Sequence, residues 1–435
     1  MMLNRCLERV AAWVVAVSLC ATAFGQNEKA ESRAEPTKEE FIRRVETPGK
    51  HVALEIVSKT YVPSGEGSGP KVGLIGVSHI GDGAFYRSVQ DVLDQYEIVL
   101  YEAIRPSGTG GAHGETTEEQ IESTRRAMKF IASAVEAHRE VRQRYPGTID
   151  ELRAFTREID PIIVNWLTAA AVDAWGRPLG FSVNEEGTEF SLKSLGADGK
   201  PGGDEGTADA DLILTQADAV APLAMERDNI QKQLATALGL SYQLEALTYD
   251  AANWRPSDMT VEQLSQAFQA RGMDMGPLAG AMGGAGFPAQ VGRLLLRMIG
   301  MLDAMMEGAI SDIAKIMMIE VLGDDRLLEQ GMGQLGQGFT EIILYERNQV
   351  VIDDLKRLLQ QEPDVKSVAI LYGAAHLPDL EERLYEQLQY EPQAETWLTA
   401  ISVNLQESRV SAAQLAQMRQ MMRRAMQQQS APRRR

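Results

Sequence analysis

The chain has only five histidines, and two of them share a context. His79 closes the run Leu74-Ile75-Gly76-Val77-Ser78-His79, and His376 closes Leu371-Tyr372-Gly373-Ala374-Ala375-His376. In each case a short apolar run gives way to Gly, two small residues and His. An apolar run bounded by Gly reads as a buried strand, and Gly lets the chain leave it sharply. The pattern predicts both imidazoles at the carboxyl edge of a sheet, where open α/β sheets bind ligands. Glu102 follows a third apolar run, Glu97 to Tyr101. Two imidazoles and a carboxylate on neighbouring strand ends suit a divalent transition metal with an open position for water; Mn, Co and Zn are not separated by this set. Water on such a metal is acidified and attacks a carbonyl or phosphoryl centre. A strand-end His is equally a satisfied polar group, and the repeated Gly-x-x-His is what favours the site.

Glu346 and Arg347 are the candidates for the remaining chemistry. Ile343, Val350, Leu355 and Leu358 mark an apolar helix stripe, and Arg347 falls on it by i+3 and i+4 spacing. A buried Arg requires a partner, for which Glu102 and Glu346 are available. It can also stabilise a developing oxyanion, with Glu346 as general base. Gly76-Val-Ser78-His-Ile80 lacks the last Gly of a serine-hydrolase elbow, and there is neither a His-Glu-x-x-His nor a P-loop.

A second cluster is acidic. Ser194 to Asp211 holds five glycines and the acids Asp198, Asp204, Glu205, Asp209 and Asp211 against one base, Lys200. Clustered carboxylates in a Gly-rich loop repel one another unless a cation collects them, and hard oxygens on a pliable loop suit Ca²⁺. The spacing is not that of an EF-hand, and a solvated acidic loop has the same composition.

The elements that must position these groups are legible in part. Lys71 to Gly76, Glu97 to Tyr101 and Lys366 to Tyr372 read as strands, and Phe85 to Gln95 as a helix. Strand, helix, strand in close order implies a parallel sheet. Thr124 to Arg144 reads as one helix ended by Tyr145-Pro146, and Gly338 to Gln360 as another. Thr260 and Gln263 fit a capping box. Gly272 to Pro288 is too rich in Gly for a regular element. The β/α style of the two ends and the different style of the middle suggest a domain inserted into an α/β host.

Composition sets outer limits. A net charge of −18 over 435 residues argues against nucleic-acid binding, which needs a basic face. Residues 1–25 carry Arg5 and Arg9 ahead of an apolar run, Ala11 to Phe24, too short to span a bilayer comfortably, and read as a cleavable Sec-type signal. Both cysteines, Cys6 and Cys20, lie within it, so the mature chain has no thiol or disulfide chemistry. Ala289 to Met306 is apolar but is interrupted by Arg293, Arg297 and Asp303, so no membrane span is expected after signal removal. Residues 26–50 read as a polar, flexible leader or surface helix, and 404–435 as a C-terminal helix with a basic tail, solvated or used for a partner.

The host segments, 51–118 and 217–403, resemble the TraB/GumN/TIKI group, related more distantly to erythromycin esterases and haem-binding ChaN proteins. The shared residues are Gly76-Val-Ser-His79-Ile-Gly, Val99-Leu-Tyr-Glu102-Ala, Leu238-Gly-Leu-Ser-Tyr-Gln243 through Tyr249 and Asn253-Trp254, Glu346-Arg347-Asn348, and Gly373-Ala-Ala-His376-Leu-Pro. The resemblance implies a central, mostly parallel sheet flanked by helices, with His79, Glu102 and His376 as metal ligands; TIKI relatives are metal-dependent proteases. Residues 119–216 resemble the C-terminal domain of the major type II secretion pseudopilin, the GspG family. Tyr145-Pro146, Asp173-Ala-Trp175-Gly-Arg-Pro178, Ser194-Leu-Gly-Ala-Asp198-Gly, Gly202-Gly203 and Ala208-Asp209-Ala-Asp211-Leu carry it. It implies an α+β domain with Ca²⁺ held by Asp198, Asp209, Asp211 and the Leu195 carbonyl. The relatives' long hydrophobic N-terminal helix has no counterpart before Thr124, which argues against assembly into a pseudopilus.

The expectation is a periplasmic or secreted metal-dependent hydrolase, peptidase-like, carrying a calcium-bound pseudopilin-like insert. Peptides or proteins are its expected substrates, and the insert or the C-terminal helix its expected protein-contact surface. The rival expectation is a non-enzymatic binding protein that uses the same pocket for a ligand and the insert for interaction.

Overall fold

The computed structural model describes residues 41–65, 69–204, 206–223, 230–273, 309–323, 337–408, 410–411, 413–417 and 419–420. The expected signal, most of the Gly-rich run 272–288, the apolar run 289–306 and the basic terminus lie outside the described residues. The chain divides into two compact units. Met1–Glu97, Asp228–Leu247 and Asp274–Arg435 form the first; Ile98–Arg227 and Thr248–Met273 form the second.

The first unit is built on a mixed sheet. The strand His51–Pro63 pairs antiparallel with Ile42–Thr47, with Lys71–Val77 and, along its length, with Tyr390–Asn404. Lys71–Val77 pairs parallel with Ser367–Gly373. The sheet is therefore mixed where the sequence reading expected it mostly parallel: the two strands that carry the Gly-x-x-His glycines pair parallel, and the strands around His51–Pro63 pair antiparallel. The polar run 42–47, expected as leader, is a strand because Gly49 takes φ 68° and Lys50 N–H closes a turn on Thr47 O at 2.9 Å. That left-handed position turns the chain straight back into its hairpin partner. Leu74, Ile75, Val368 and Ile370 are wholly buried on the two central strands, each contributing about 1.5–3 kcal/mol of apolar transfer.

Helices cover the sheet. Gly83–Leu93 buries Phe85, Tyr86, Val89 and Leu93 at helical spacing. The expected single helix over 338–360 is instead α-helical over Gln337–Thr340, π-helical over Glu341–Glu346 and α-helical over Arg347–Gln361. The wider turn shifts the stripe: Val351, Leu355 and Leu358 are buried while Val350 is half-buried. π segments concentrate at functional sites. Near the C terminus Leu415 is buried, and Arg419 pairs with Glu46 at 2.8 Å and Glu320 at 2.6 Å, while the other described residues of 413–420 are exposed.

In the second unit, Thr116 and Glu119 form a capping box that starts the helix Thr117–Arg142 earlier than the expected Thr124. Gln143, at φ 60°, ends it. Helices Ile149–Ile159 and Ile162–Ala170 follow. The strands Gly180–Val183, Phe190–Ser194 and Leu212–Thr215 form an antiparallel sheet in that order. Ile98–Tyr101 pairs parallel with Trp254–Pro256. Buried Asn165 donates from Nδ2 to the carbonyls of Tyr249 and Trp254, tying the helix to that segment. The Thr260–Gln263 capping box is present.

Candidate functional site: two amide-held histidines and an acidic loop

His79 and His376 follow neighbouring strands at the same end. The parallel register places Tyr372 beside Gly76 and Gly373 beside Val77. His79 lies two residues past Val77, and His376 ends the short 3-10 turn Ala374–His376. The glycines act otherwise than expected. Gly76 is inside its strand, where a Cβ would lie 2.6 Å from Ile56 Cγ2 and 3.1 Å from Leu377 Cδ2. Gly373 has φ −50°, open to any residue. Gly76 serves close packing rather than a turn.

Each imidazole is held by a side-chain amide. His376 is almost wholly buried, and its Nδ1 lies 2.7 Å from Asn348 Oδ1. Asn348 Nδ2 donates to Asp379 Oδ2 at 2.7 Å and to the His376 carbonyl at 3.2 Å. Both partners only accept, so the amide oxygen faces the ring, and the ring nitrogen must donate to it. His376 is thus presented with its proton on Nδ1. Tyr372 packs edge-on at 5.3 Å between centroids and fixes the ring plane. His79 Nδ1 lies 3.1 Å from Gln243 Oε1, and Gln243 N–H donates to the His79 carbonyl at 2.9 Å. Gln243 therefore clasps both the backbone and the ring of His79. The adjacent Ser78 carbonyl accepts from Tyr86 Oη at 2.7 Å.

Arg347 is buried as its spacing predicted, and donates Nη1 to the Ile343 carbonyl at 3.2 Å across the π segment. Glu346 is half-buried at the end of that segment. Glu102 is half-buried in the second unit, after Tyr101, whose phenol is pushed well above its ordinary range by burial. Among the described residues no three His, Cys, Asp or Glu side chains are grouped so as to hold a metal ion. The histidine donors suit a transition metal in kind, but the described side chains supply no three-ligand cage for one.

The acidic loop folds back on itself in the second unit. Ala197 N–H donates to the Ala208 carbonyl at 2.7 Å, and Asp211 N–H to the Gly202 carbonyl at 3.0 Å. A Cβ on Gly196 would meet Ala208 O at 2.5 Å, and one on Gly203 would meet Asp209 O at 2.1 Å. Both glycines also hold positive φ, 63° and 89°, so the loop demands them twice over. Asp211 Oδ2 accepts from Lys193 Nζ at 2.9 Å and Gly202 N–H at 3.1 Å. Those two contacts, Lys193 first, hold its carboxyl below the usual range. Asp211 Oδ1 is buried and makes no hydrogen bond. An orphaned buried carboxylate oxygen is what a bound cation would satisfy, but among the described residues Asp198, Asp209 and Asp211 are not grouped so as to hold one. Asp198 and Asp209 are exposed, and Leu195 is half-buried; Asp198 Oδ1 accepts from Lys200 N–H at 2.8 Å.

Residues 112–212 match the family model of type II secretion system (T2SS) protein G. The type II secretion system core protein G of Pseudomonas aeruginosa is 35% identical over 89 residues, which cover 19% of this chain and 63% of that protein. The chain thus spans about 63% of the length of the curated relative it matches. No solved structure matches the chain. Among the described residues no helix is long and apolar enough to cross a membrane.

The roles of Asn348, Gln243 and Asp379 were missed from sequence. Asn348 and Gln243 stand inside motifs quoted above, yet nothing in a motif says which side chain a distant amide will meet.

Proposed function

We propose that this is an exported, periplasmic or secreted protein whose T2SS protein G-like segment is a calcium-stabilised module for contact with other proteins. The observation that carries this reading is the family match over 112–212 together with the orphaned Asp211 oxygen in its acidic loop. Asp211, Asp198, Asp209 and the Leu195 carbonyl would hold the ion, which would neutralise the loop's carboxylates and fix its shape. Calcium titration followed by calorimetry tests it. Binding should fail in Asp211→Ala and in Asp198→Ala; an unchanged affinity in both overturns the assignment.

A second reading concerns the first unit: hydrolysis of a peptide-like bond. It is favoured by the two imidazoles at adjacent strand ends, each held at Nδ1 by an amide oxygen. His376 Nε2 would take a proton from water, and buried Arg347 would stabilise charge on the substrate oxygen. Glu346 is the alternative base. A peptide-library cleavage screen with wild type, His376→Ala, His79→Ala and Glu346→Gln tests it. Cleavage lost in His376→Ala supports the reading, and no cleavage by wild type refutes it. Chelation distinguishes metal-assisted from metal-free hydrolysis, and metal analysis shows whether the protein retains Mn, Co or Zn.

A further inference from the structure

We infer that Asn348 and Asp379 are positioning residues that fix His376 in the Nδ1–H tautomer, making Nε2 its reacting nitrogen; this deepens the hydrolytic reading and rests on it for the word reacting, though not for the tautomer. Imidazole has two neutral tautomers, and the partner of one nitrogen decides what the other can do. Asn348 alone would not decide it, since an amide can present its oxygen or its nitrogen to the ring. Asp379 makes the choice. Its Oδ2 accepts from Asn348 Nδ2 at 2.7 Å and from Arg383 Nε at 2.6 Å, and a carboxylate offers no proton in return. The His376 carbonyl takes Nδ2 as well, at 3.2 Å. The amide is therefore locked with Oδ1 toward the ring.

The lock is buried where it matters. Asn348 is wholly sealed from solvent and His376 nearly so, so water does not compete for Nδ1. A reversed amide would set Nδ2–H against Nδ1 and leave Oδ1 facing the Asp379 carboxylate, two acceptors opposed in a buried place. The elements make the geometry rigid. Asn348 sits on Arg347–Gln361 just past the π segment, and Asp379 lies in the first turn of Leu377–Leu388. Arg383, one turn further along that helix, holds Asp379 and donates Nη1 to Gln349 Oε1, joining the two helices on either side of the ring.

The test is the tautomer itself, read from ¹⁵N shifts and long-range ¹H–¹⁵N couplings of histidine-labelled full-length protein at about pH 8, above the ordinary imidazole range. His376→Ala identifies the signal. Wild type should show a protonated, pyrrole-like Nδ1 and a pyridine-like Nε2. Asn348→Leu should move the ring toward the Nε2–H form. The exchanged pair N348D/D379N should restore Nδ1–H, because the carboxylate now accepts from the ring and the amide donates to it. An Nε2–H ring in wild type overturns the inference, whether or not any variant folds. Circular dichroism checks folding of the variants. Should Asn348→Leu not fold, N348D/D379N and Asp379→Ala carry the causal test: Nδ1–H must be kept in the first and eroded in the second, and the reverse overturns it. With a cleaved substrate in hand, Asn348→Leu should lower turnover about 10- to 100-fold, as loss of an orienting partner does. An Nδ1–H ring in a protein that cleaves nothing refutes hydrolysis alone and leaves the lock standing.

Discussion

Ser194 Oγ donates a 2.6 Å hydrogen bond to Asp173 Oδ2, joining the middle strand of the second unit's antiparallel sheet to the turn before that sheet. Both residues are nearly sealed from solvent. Asp173 Oδ1 accepts from the N–H groups of Trp175 and Arg177 at 3.1 and 2.8 Å, and Ser194 Oγ accepts from Gly196 N–H at 3.2 Å. One carboxylate thereby shapes the Asp173-Ala-Trp175-Gly-Arg turn and anchors the first residue of the acidic loop. Asp173→Ala should leave buried donors unanswered and cost about 3 kcal/mol. Asp173→Asn, which keeps one acceptor oxygen, should cost clearly less. Urea unfolding of both variants checks the order; equal losses would mean that the charge, not the turn, is what matters.

Calcium should raise the unfolding temperature of the wild type, and EGTA should reverse the rise. A ligand at a hundredfold excess over its dissociation constant stabilises by about 2.7 kcal/mol. The gain should vanish in Asp211→Ala. Acid should weaken it too. The folded Asp211 carboxyl is held below its ordinary value by Lys193 and the Gly202 N–H. Its contribution is therefore fully present above the unfolded pKa and lost as pH falls through the folded one. Melting curves with and without calcium from neutral pH down to about pH 3, below the unperturbed Asp value, should show the calcium increment shrinking at the acid end.

His138 should make the second unit acid-sensitive. Its ring is buried, packs edge-on against Phe155 at 4.8 Å and donates Nδ1–H to the Arg144 carbonyl at 2.9 Å. Burial is the main reason its pKa is lowered; Glu151, 3.7 Å from Nε2, pulls the other way, as does the Arg144 carbonyl. A lowered imidazole pKa means the unfolded chain binds the extra proton first. Stability is therefore complete above the ordinary value near about 6.5 and declines as pH drops from there toward the folded value. In His138→Phe that part of the decline should disappear. Melting temperatures at several pH values check it, and parallel curves for wild type and variant would rule His138 out.

The two histidines were legible because each follows a short apolar run with the same Gly-x-x-His cadence, and a strand's identity is largely local. Their supports were not legible. Asn348 and Gln243 reach the rings across long stretches of sequence, and such pairing is decided by helix packing. Ile42–Thr47 was missed because IRRVET has no apolar alternation; it is a strand by virtue of its partner, with Arg43 and Glu55 paired at 2.7 Å across the ladder. The antiparallel part of the sheet escaped for a related reason: Tyr390–Asn404 meets His51–Pro63 from the far end of the chain, and a single sequence leaves such pairing and its register open. The π segment escaped for a simpler reason. A 3.6-residue template absorbs one extra residue as noise, although that residue sets which of Val350 and Val351 faces the core. Thr116-x-x-Glu119 has the form of a capping box, which places the helix start at Thr117 rather than near Thr124.

Lys59 and Glu381 provide the sharpest test of the first unit's packing. Both are buried, on His51–Pro63 and Leu377–Leu388, with Lys59 Nζ 3.5 Å from Glu381 Oε1. Tyr61 Oη donates to the same oxygen at 2.8 Å, and the ammonium sits 4.0 Å over the Phe41 ring. Removing one charge from a buried pair strands the other, at about 3–5 kcal/mol. Glu381→Leu should therefore be severe. Glu381→Gln keeps an acceptor for Tyr61 but not the countercharge, and should fall between. Lys59→Met together with Glu381→Leu should regain much of the loss, since two apolar side chains of similar volume need no partner ion. A double variant no more stable than Glu381→Leu alone would place the cost in the Tyr61 hydrogen bond instead. Tyr61→Phe in the wild-type background separates that term directly.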